Sequence, residues 1–174
     1  MVALAPPIAS FSAFAQPFVC LSSSLAFADW EDEEIGYGRL VPVVRALATL
    51  LPNLEQLADF ELVVTCTMGD WPDDAAQCAD LIWSLPAATR VVVELASQPA
   101  ILAPNATCLR LKALGGDRAR DAETLAVSAL QSPRLRELSL FVGAELPMPD
   151  ALDKAIAEGV WPELTLFRSA LVLS

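Results

Sequence analysis

Residues 51–66 read LPNLEQLADFELVVTC. Leu57, Phe60 and Leu62 stand at L-x-x-L-x-L spacing, and Pro52 precedes them. The same order, a proline and then a short apolar run, returns after Pro17, Pro86, Pro104, Pro133 and Pro162, in PFVCLSSSLAF, PAATRVVVEL, PNATCLRLKAL, PRLRELSLFV and PELTLFRSALVL. The six prolines are separated by 35, 34, 18, 29 and 29 residues. One strand plus one return segment fills such a length, so the spacing predicts units that stack on one another.

Leu135, Leu138 and Leu140 repeat the pattern closely, while Ala88, Val91 and Val93, and Ala106, Leu109 and Leu111, repeat it with alanine in the first place. Residues alternate faces in a strand, so the last two apolar positions of each run point one way and their neighbours the other. The neighbours include charges: Arg90, Glu94, Arg110, Lys112 and Glu137. Strands covered on both faces read as continuous apolar runs. Charges at alternate positions therefore weigh against an open doubly wound sheet and predict one wet face.

Segments with helical periodicity lie between the strands. After Pro42, Val44, Leu47, Ala48 and Leu51 share a face, with Arg45 and Thr49 opposite. Asp70-Trp71-Pro72-Asp73 offers a cap before Cys78, Leu81, Ile82 and Leu85. Asp121 is expected to open a third helix carrying Leu125 and Ala129, and Pro149-Asp150 a fourth carrying Leu152, Ala155 and Ile156 and stopped at Gly159. The link from Ala96 to Ala103, interrupted by Pro99, is too short for a helix and should be extended or a single turn. With no hairpin dipeptides between runs, the strands are expected to pair in parallel through right-handed crossovers. The fold read from the residues is a single α/β domain over 1–174, a solenoid with a curved parallel sheet on one face and helices on the other. Residues 1–16 are expected to be disordered or to join a first helix.

LLPNLEQL, SPRLRELSLFV and VWPELTLF resemble the leucine-rich-repeat regions of fungal F-box proteins, and PFVCLSSSLAFADWEDEE is similar to the first repeat of such regions. The likeness extends from about residue 17 over most of the chain. It implies a scaffold that binds another protein, in some members as the substrate-recognition arm of a ubiquitin ligase adaptor.

Composition narrows the partners. With 22 acids against 11 Lys and Arg, the net charge is −11, which opposes binding to a phosphate backbone. No nucleic acid is expected. Mean hydropathy is +0.47, yet no charge- and proline-free apolar run long enough to cross a bilayer follows residue 28, so no membrane is expected either. The uncharged segment Met1–Ala28 ends in Ala26-Phe27-Ala28, a small-residue pattern like a secretory cleavage site, but it lacks basic residues and holds Pro6, Pro7 and Pro17. A cytoplasmic or nuclear chain is the expectation, with secretion the alternative. Cys20, Cys66, Cys78 and Cys108 have no CxxC spacing and lie within apolar stretches, which suits buried reduced thiols. Asn105-Ala106-Thr107 fits a glycosylation sequon, relevant only to a secreted chain.

Histidine is absent, which removes His-based triads and His-containing metal sites. No catalytic residue, cofactor or metal is expected. Leu114-Gly115-Gly116-Asp117 could cradle a phosphate ahead of a helix, but it lacks a phosphate-loop pattern, and Arg118 and Arg120 stand among Asp117 and Asp121. A small nucleotide-binding protein or enzyme using the loop from Gly115 to Arg120 is the rival reading, and a fragment without independent function a third. The acidic stretch Asp29–Glu34 around Trp30 reads as a solvated loop, with a basic partner as second choice. Trp30, Trp71, Trp83 and Trp161 read as packing residues.

Outward strand positions should form three rows: Asp59, Arg90, Cys108 and Glu137; Glu61, Val92, Arg110 and Ser139; Val63, Glu94, Lys112 and Phe141. Asp59 would face Arg90, and Glu94 would face Lys112, as pairs that first stabilise the sheet. A protein-binding surface here should include Arg90, Arg110, Lys112, Glu137 and Phe141, and the function expected is non-enzymatic protein binding.

Overall fold

The proline-led units end as parallel strands in one sheet. The computed structural model describes residues 19–27, 40–66, 73–114, 117–142, 146–147, 149–169 and 171–172. The elements in chain order are β1 (Val19–Phe27), α1 (Leu40–Leu50), β2 (Leu57–Cys66), β3 (Ile82–Ser84), β4 (Arg90–Leu95), β5 (Ala100–Leu102), β6 (Cys108–Ala113), α2 (Arg118–Leu130), β7 (Glu137–Val142), β8 (Leu146–Pro147), α3 (Asp150–Ala157), β9 (Leu166–Ser169) and β10 (Leu171–Val172). Short 3₁₀ segments cover Leu51–Asn53 and Asp73–Asp80. The main sheet has six strands in the order β1-β2-β4-β6-β7-β9, and every pairing in it is parallel. β3 and β5 form a separate parallel pair on the return side, as do β8 and β10. The molecule is thus α/β with a parallel sheet whose strands follow one another in chain order.

Proline turns set the phase of these strands. Leu51, Leu85, Ala103, Ser132 and Trp161 are each buried and each precede a proline. In four of the five, the carbonyl before the proline accepts a hydrogen bond from the N–H three residues on: Leu51 from Leu54, Leu85 from Ala88, Ala103 from Ala106, and Trp161 from Leu164, at 3.0–3.2 Å. Proline suits the second position of such a turn because its ring presets φ. Just beyond, the turns bond to one another. Thr89 N–H donates to Ala58 C=O, Thr107 to Thr89, Arg136 to Thr107 and Thr165 to Arg136, all at 2.8–2.9 Å. Each strand therefore starts level with its neighbour.

Equal starts give continuous apolar ladders. Phe60, Val91, Leu109, Leu138 and Phe167 lie in register, as do Leu62, Val93, Leu111 and Leu140. All but Phe167 are at most 4% exposed. Val44 and Leu47 from α1, Leu51 from the 3₁₀ turn that follows it, Leu125 and Ala129 from α2, and Leu152 and Ala155 from α3 join them in one core. Arg45 and Thr49 face outward as the periodicity predicts, and Gly159, with φ 68°, ends α3 in the left-handed region.

Two helix expectations need correction. The segment before residue 85 turns as 3₁₀ over Asp73–Asp80 and then extends, so Ile82 and Leu85 do not share a helical face with Cys78. Strand alternation sends Ile82 outward, 58% exposed, and Trp83 inward. The Trp83 ring meets Phe60 edge-on at 5.7 Å, and its indole N–H donates to the Val44 carbonyl at 3.0 Å. A helix would have wasted the largest side chain of the segment on solvent. The short link to Ala103 is extended as expected, with Ala100–Leu102 forming β5.

Asp121 does not open α2; Asp117 does, its carboxylate accepting from the Ala119 and Arg120 N–H groups at 3.1 and 3.2 Å. Asp121, one turn in, is fully buried. It accepts from the Gln98 backbone N–H at 3.2 Å and the Ser97 hydroxyl at 3.3 Å. Gln98, also fully buried, donates its side-chain amide to the Val93 and Lys112 carbonyls at 3.1 and 2.6 Å. Ser128 on the same helix accepts from the Ile101 N–H at 2.9 Å. These bonds tie α2 to the return segment and to the ends of β4 and β6. Burial pushes the Asp121 carboxyl up to about 6, outweighing the two hydrogen bonds that favour its charge.

A carboxyl raised in the folded state lends stability that is complete below its unfolded value near 4 and is lost as pH climbs through about 6. Asp121→Asn keeps an acceptor for Gln98 but does not titrate, and Asp117 and Arg120 beside it are common to both proteins. Thermal unfolding from pH 4 to pH 7 should therefore show the wild type losing roughly 2 kcal/mol relative to the variant. Parallel curves for the two proteins would contradict this account.

Candidate functional site

Side chains that alternate with the apolar ladders emerge on the opposite face of the sheet. The three outward rows lie in register as the sequence predicts: Asp59, Arg90, Cys108 and Glu137; Glu61, Val92, Arg110 and Ser139; Val63, Glu94, Lys112 and Phe141. β9 extends the first with Leu166 and the second with Arg168. All five sequence-predicted site residues, Arg90, Arg110, Lys112, Glu137 and Phe141, thus share one face.

Charges there are paired across neighbouring strands. Lys112 Nζ lies 3.2 Å from Glu94 Oε2, directly across the register, as expected. Arg90 faces Asp59 in register but reaches diagonally to Glu61 Oε2 at 3.0 Å. Arg110 reaches Glu137 Oε2 at 3.2 Å, a bond that pushes the guanidinium pKa further up and keeps it charged. Four acids (Asp59, Glu61, Glu94, Glu137) meet four bases (Arg90, Arg110, Lys112, Arg168), so the face is neutral in a chain of net charge −11. Such a face repels another acidic molecule less than the net charge of the chain would.

Cys108 also stands on this face, half-buried and reduced, with its sulfur 3.6 Å from Glu137 Oε2. Burial and the adjacent carboxylate raise its pKa against the pull of Arg110. The thiol is thereby held protonated and weakly nucleophilic. Its run is apolar, but the residue points to the charged side. Cys78 is buried as predicted, whereas the side chains of Cys20 and Cys66 lie outside the described residues.

The middle row alternates long and short: Glu61, Val92, Arg110, Ser139, Arg168. Its short members sink between their neighbours, each only 7% exposed. The result is a trough of about 440 Å³, walled by Arg90, Glu94, Lys112 and Phe141. Phe141, 38% exposed, is the large apolar group at its rim.

Sequence reasoning passed over Glu61 and Arg168 as site residues. The signal for Arg168 was present: Phe167 follows Pro162 by the same five residues that separate Leu138 from Pro133, so Arg168 falls where Ser139 does.

The rival loop has a different geometry from a phosphate cradle in its described part. Asp117 occupies the first amides of α2, which a phosphate would otherwise take, and Arg120 is bound to Asp80. Gly115 and Gly116 lie outside the described residues, as do the acidic stretch Asp29–Glu34, Trp30 and Trp71. The sequon's Asn105 donates its amide to the Pro86 carbonyl at 2.7 Å. Trp161, like Trp83, is a core residue, with its indole N–H on the Ser132 carbonyl at 3.0 Å. No helix of the described residues is long and apolar enough to cross a membrane.

Compared with protein-family models, curated proteins and solved structures, the chain matches none.

Members of the face ion pairs keep roughly a third to a half of their side-chain surface in water, and such pairs contribute little. Glu61→Gln and Glu94→Gln should each lower stability in urea by less than about 1 kcal/mol, with the difference shrinking in high salt. A larger loss would mean the pairs hold the sheet together.

Proposed function

We propose that the chain is a non-enzymatic scaffold of leucine-rich-repeat type, a solenoid that binds a protein partner across its wet strand face. The observation that carries this reading is the ordered face itself: in-register outward rows, neutral in an acidic chain, surround a trough with an aromatic rim. Repeated proline turns and strands in chain order support the solenoid. Charges that already satisfy one another make a face suited to protein recognition, where complementarity sets register and specificity more than raw affinity. The likeness of LLPNLEQL and SPRLRELSLFV to F-box repeat regions adds a finer reading, in which the face receives the substrate of a ubiquitin ligase adaptor.

Arg110→Glu reverses a charge at the centre of the face and turns its pair with Glu137 into a repulsion. In affinity capture from native-cell extract, the variant should recover several-fold less of the partner than the wild type, while its circular dichroism spectrum stays the same. Ligase adaptor subunits among the captured proteins would support the finer reading. Unchanged recovery would remove the face as the binding site. A thermal shift with nucleotides but without such capture would favour the rival loop.

A further inference from the structure

Two features of the trough have no partner among the described residues. Ser139 is 7% exposed and lines the trough, yet its hydroxyl makes no hydrogen bond among the described residues. Arg168 is exposed on the same trough and has neither ion pair nor hydrogen bond there. Both lie in the row that runs Arg110, Ser139, Arg168 over three adjacent strands. With strands about 4.8 Å apart, the arginine Cα atoms stand about 10 Å from each other on either side of the serine. Two long cationic side chains thus flank a short hydroxyl, leaving a well between them.

We infer that this well is a carboxylate subsite, in which Arg110, Ser139 and Arg168 hold one acidic group of a bound protein segment. Arg110 spends one of its donors on Glu137 and keeps others, since a guanidinium carries five N–H bonds. Charge selects the ligand. Arg110, Lys112 and Arg168 against Glu94 and Glu137 leave one positive charge around the well, which matches a carboxylate and falls short of a phosphoryl dianion. Arginine forks and a hydroxyl are the donors a planar carboxylate takes. Phe141, in register with Lys112 and two residues beyond Ser139, supplies apolar surface for the residue next to the acid. The inference rests on the strand face being the protein-binding surface and names the chemistry that surface selects.

The test is an NMR titration of the full, isotope-labelled chain with four probes: acetyl-Phe-Glu-amide, acetyl-Phe-Ala with a free C-terminus, acetyl-Phe-Gln-amide, and inorganic phosphate. At least one carboxylate peptide should shift the Ser139 amide and Arg168 side-chain signals saturably, and the glutamine peptide should not. Which peptide does so tells whether the group is an acidic side chain or a chain terminus. Arg168→Gln should weaken that binding about tenfold, as expected for loss of a charge-assisted partner, with Arg168→Lys retaining part of it. Glu123→Gln, exposed on α2 behind the sheet, should titrate like the wild type. Silence at Ser139 and Arg168 with both carboxylates, equal shifts with the glutamine peptide, tighter binding of phosphate, or wild-type titration by Arg168→Gln would each overturn the subsite. Because no partner is needed, its failure is separable from that of the scaffold reading: silence here with Arg110-dependent capture sinks only the subsite, and saturation here without such capture sinks only the scaffold.

Discussion

Everything in this molecule depends on neighbouring strands starting level, and the bonds that make them so lie between the turns. A proline turn closes on itself in four units, and the residue just ahead of β4, β6, β7 and β9 bonds to its counterpart next door: Thr89 to Ala58, Thr107 to Thr89, Arg136 to Thr107, Thr165 to Arg136. A slip of one residue would exchange the two faces of a strand. Repeated in β2, β4, β6 and β7, it would expose eight large apolar residues of the ladders that contain Phe60 and Leu62, costing on the order of 10 kcal/mol or more. That is comparable to the whole stability of a typical domain. Turn chemistry and core burial therefore enforce one register, and the wet face inherits its order from them.

The main sheet was legible because its signal is local and repeated. In four units the first ladder residue falls five positions after the proline: Val91, Leu109, Leu138 and Phe167. Leu57, Phe60 and Leu62 follow a turn three residues longer but keep their own spacing. From these offsets the outward rows could be written down before any coordinates, and they agree in every column. The return side was less legible. Cys78, Leu81, Ile82 and Leu85 fit a helix as well as four scattered positions can, and what decides against it is distant: Phe60 and the Val44 carbonyl offer Trp83 a place in the core. Asp121 looked like a helix start because acids favour first turns, yet Asp117 was the better cap, with Asp121 drawn inward by Ser97 and Gln98.

The face shows the same division between what periodicity gives and what rotamers decide. Alternation fixes which residues emerge, but a long side chain can reach any of several partners. Arg90 stands across from Asp59 and takes Glu61 instead. Arg110 has no acid directly beside it and finds Glu137 on the next strand. In each case the choice lies among groups within a few ångströms in a wet setting, where the energies involved are small. Such details are invisible to pattern reading, whereas the neutrality of the face, a sum over its rows, is not.

The unequal distances between prolines carry a further meaning. From Pro86 to Pro104 the chain needs 18 residues and returns through a short strand; from Pro52 to Pro86 it needs 34 and includes a 3₁₀ segment. Both routes deliver the next strand at the same height. The backing of the sheet is thus elastic in length while its front is fixed in pitch, so material can be spliced into or trimmed from the rear without respacing the groups at the front.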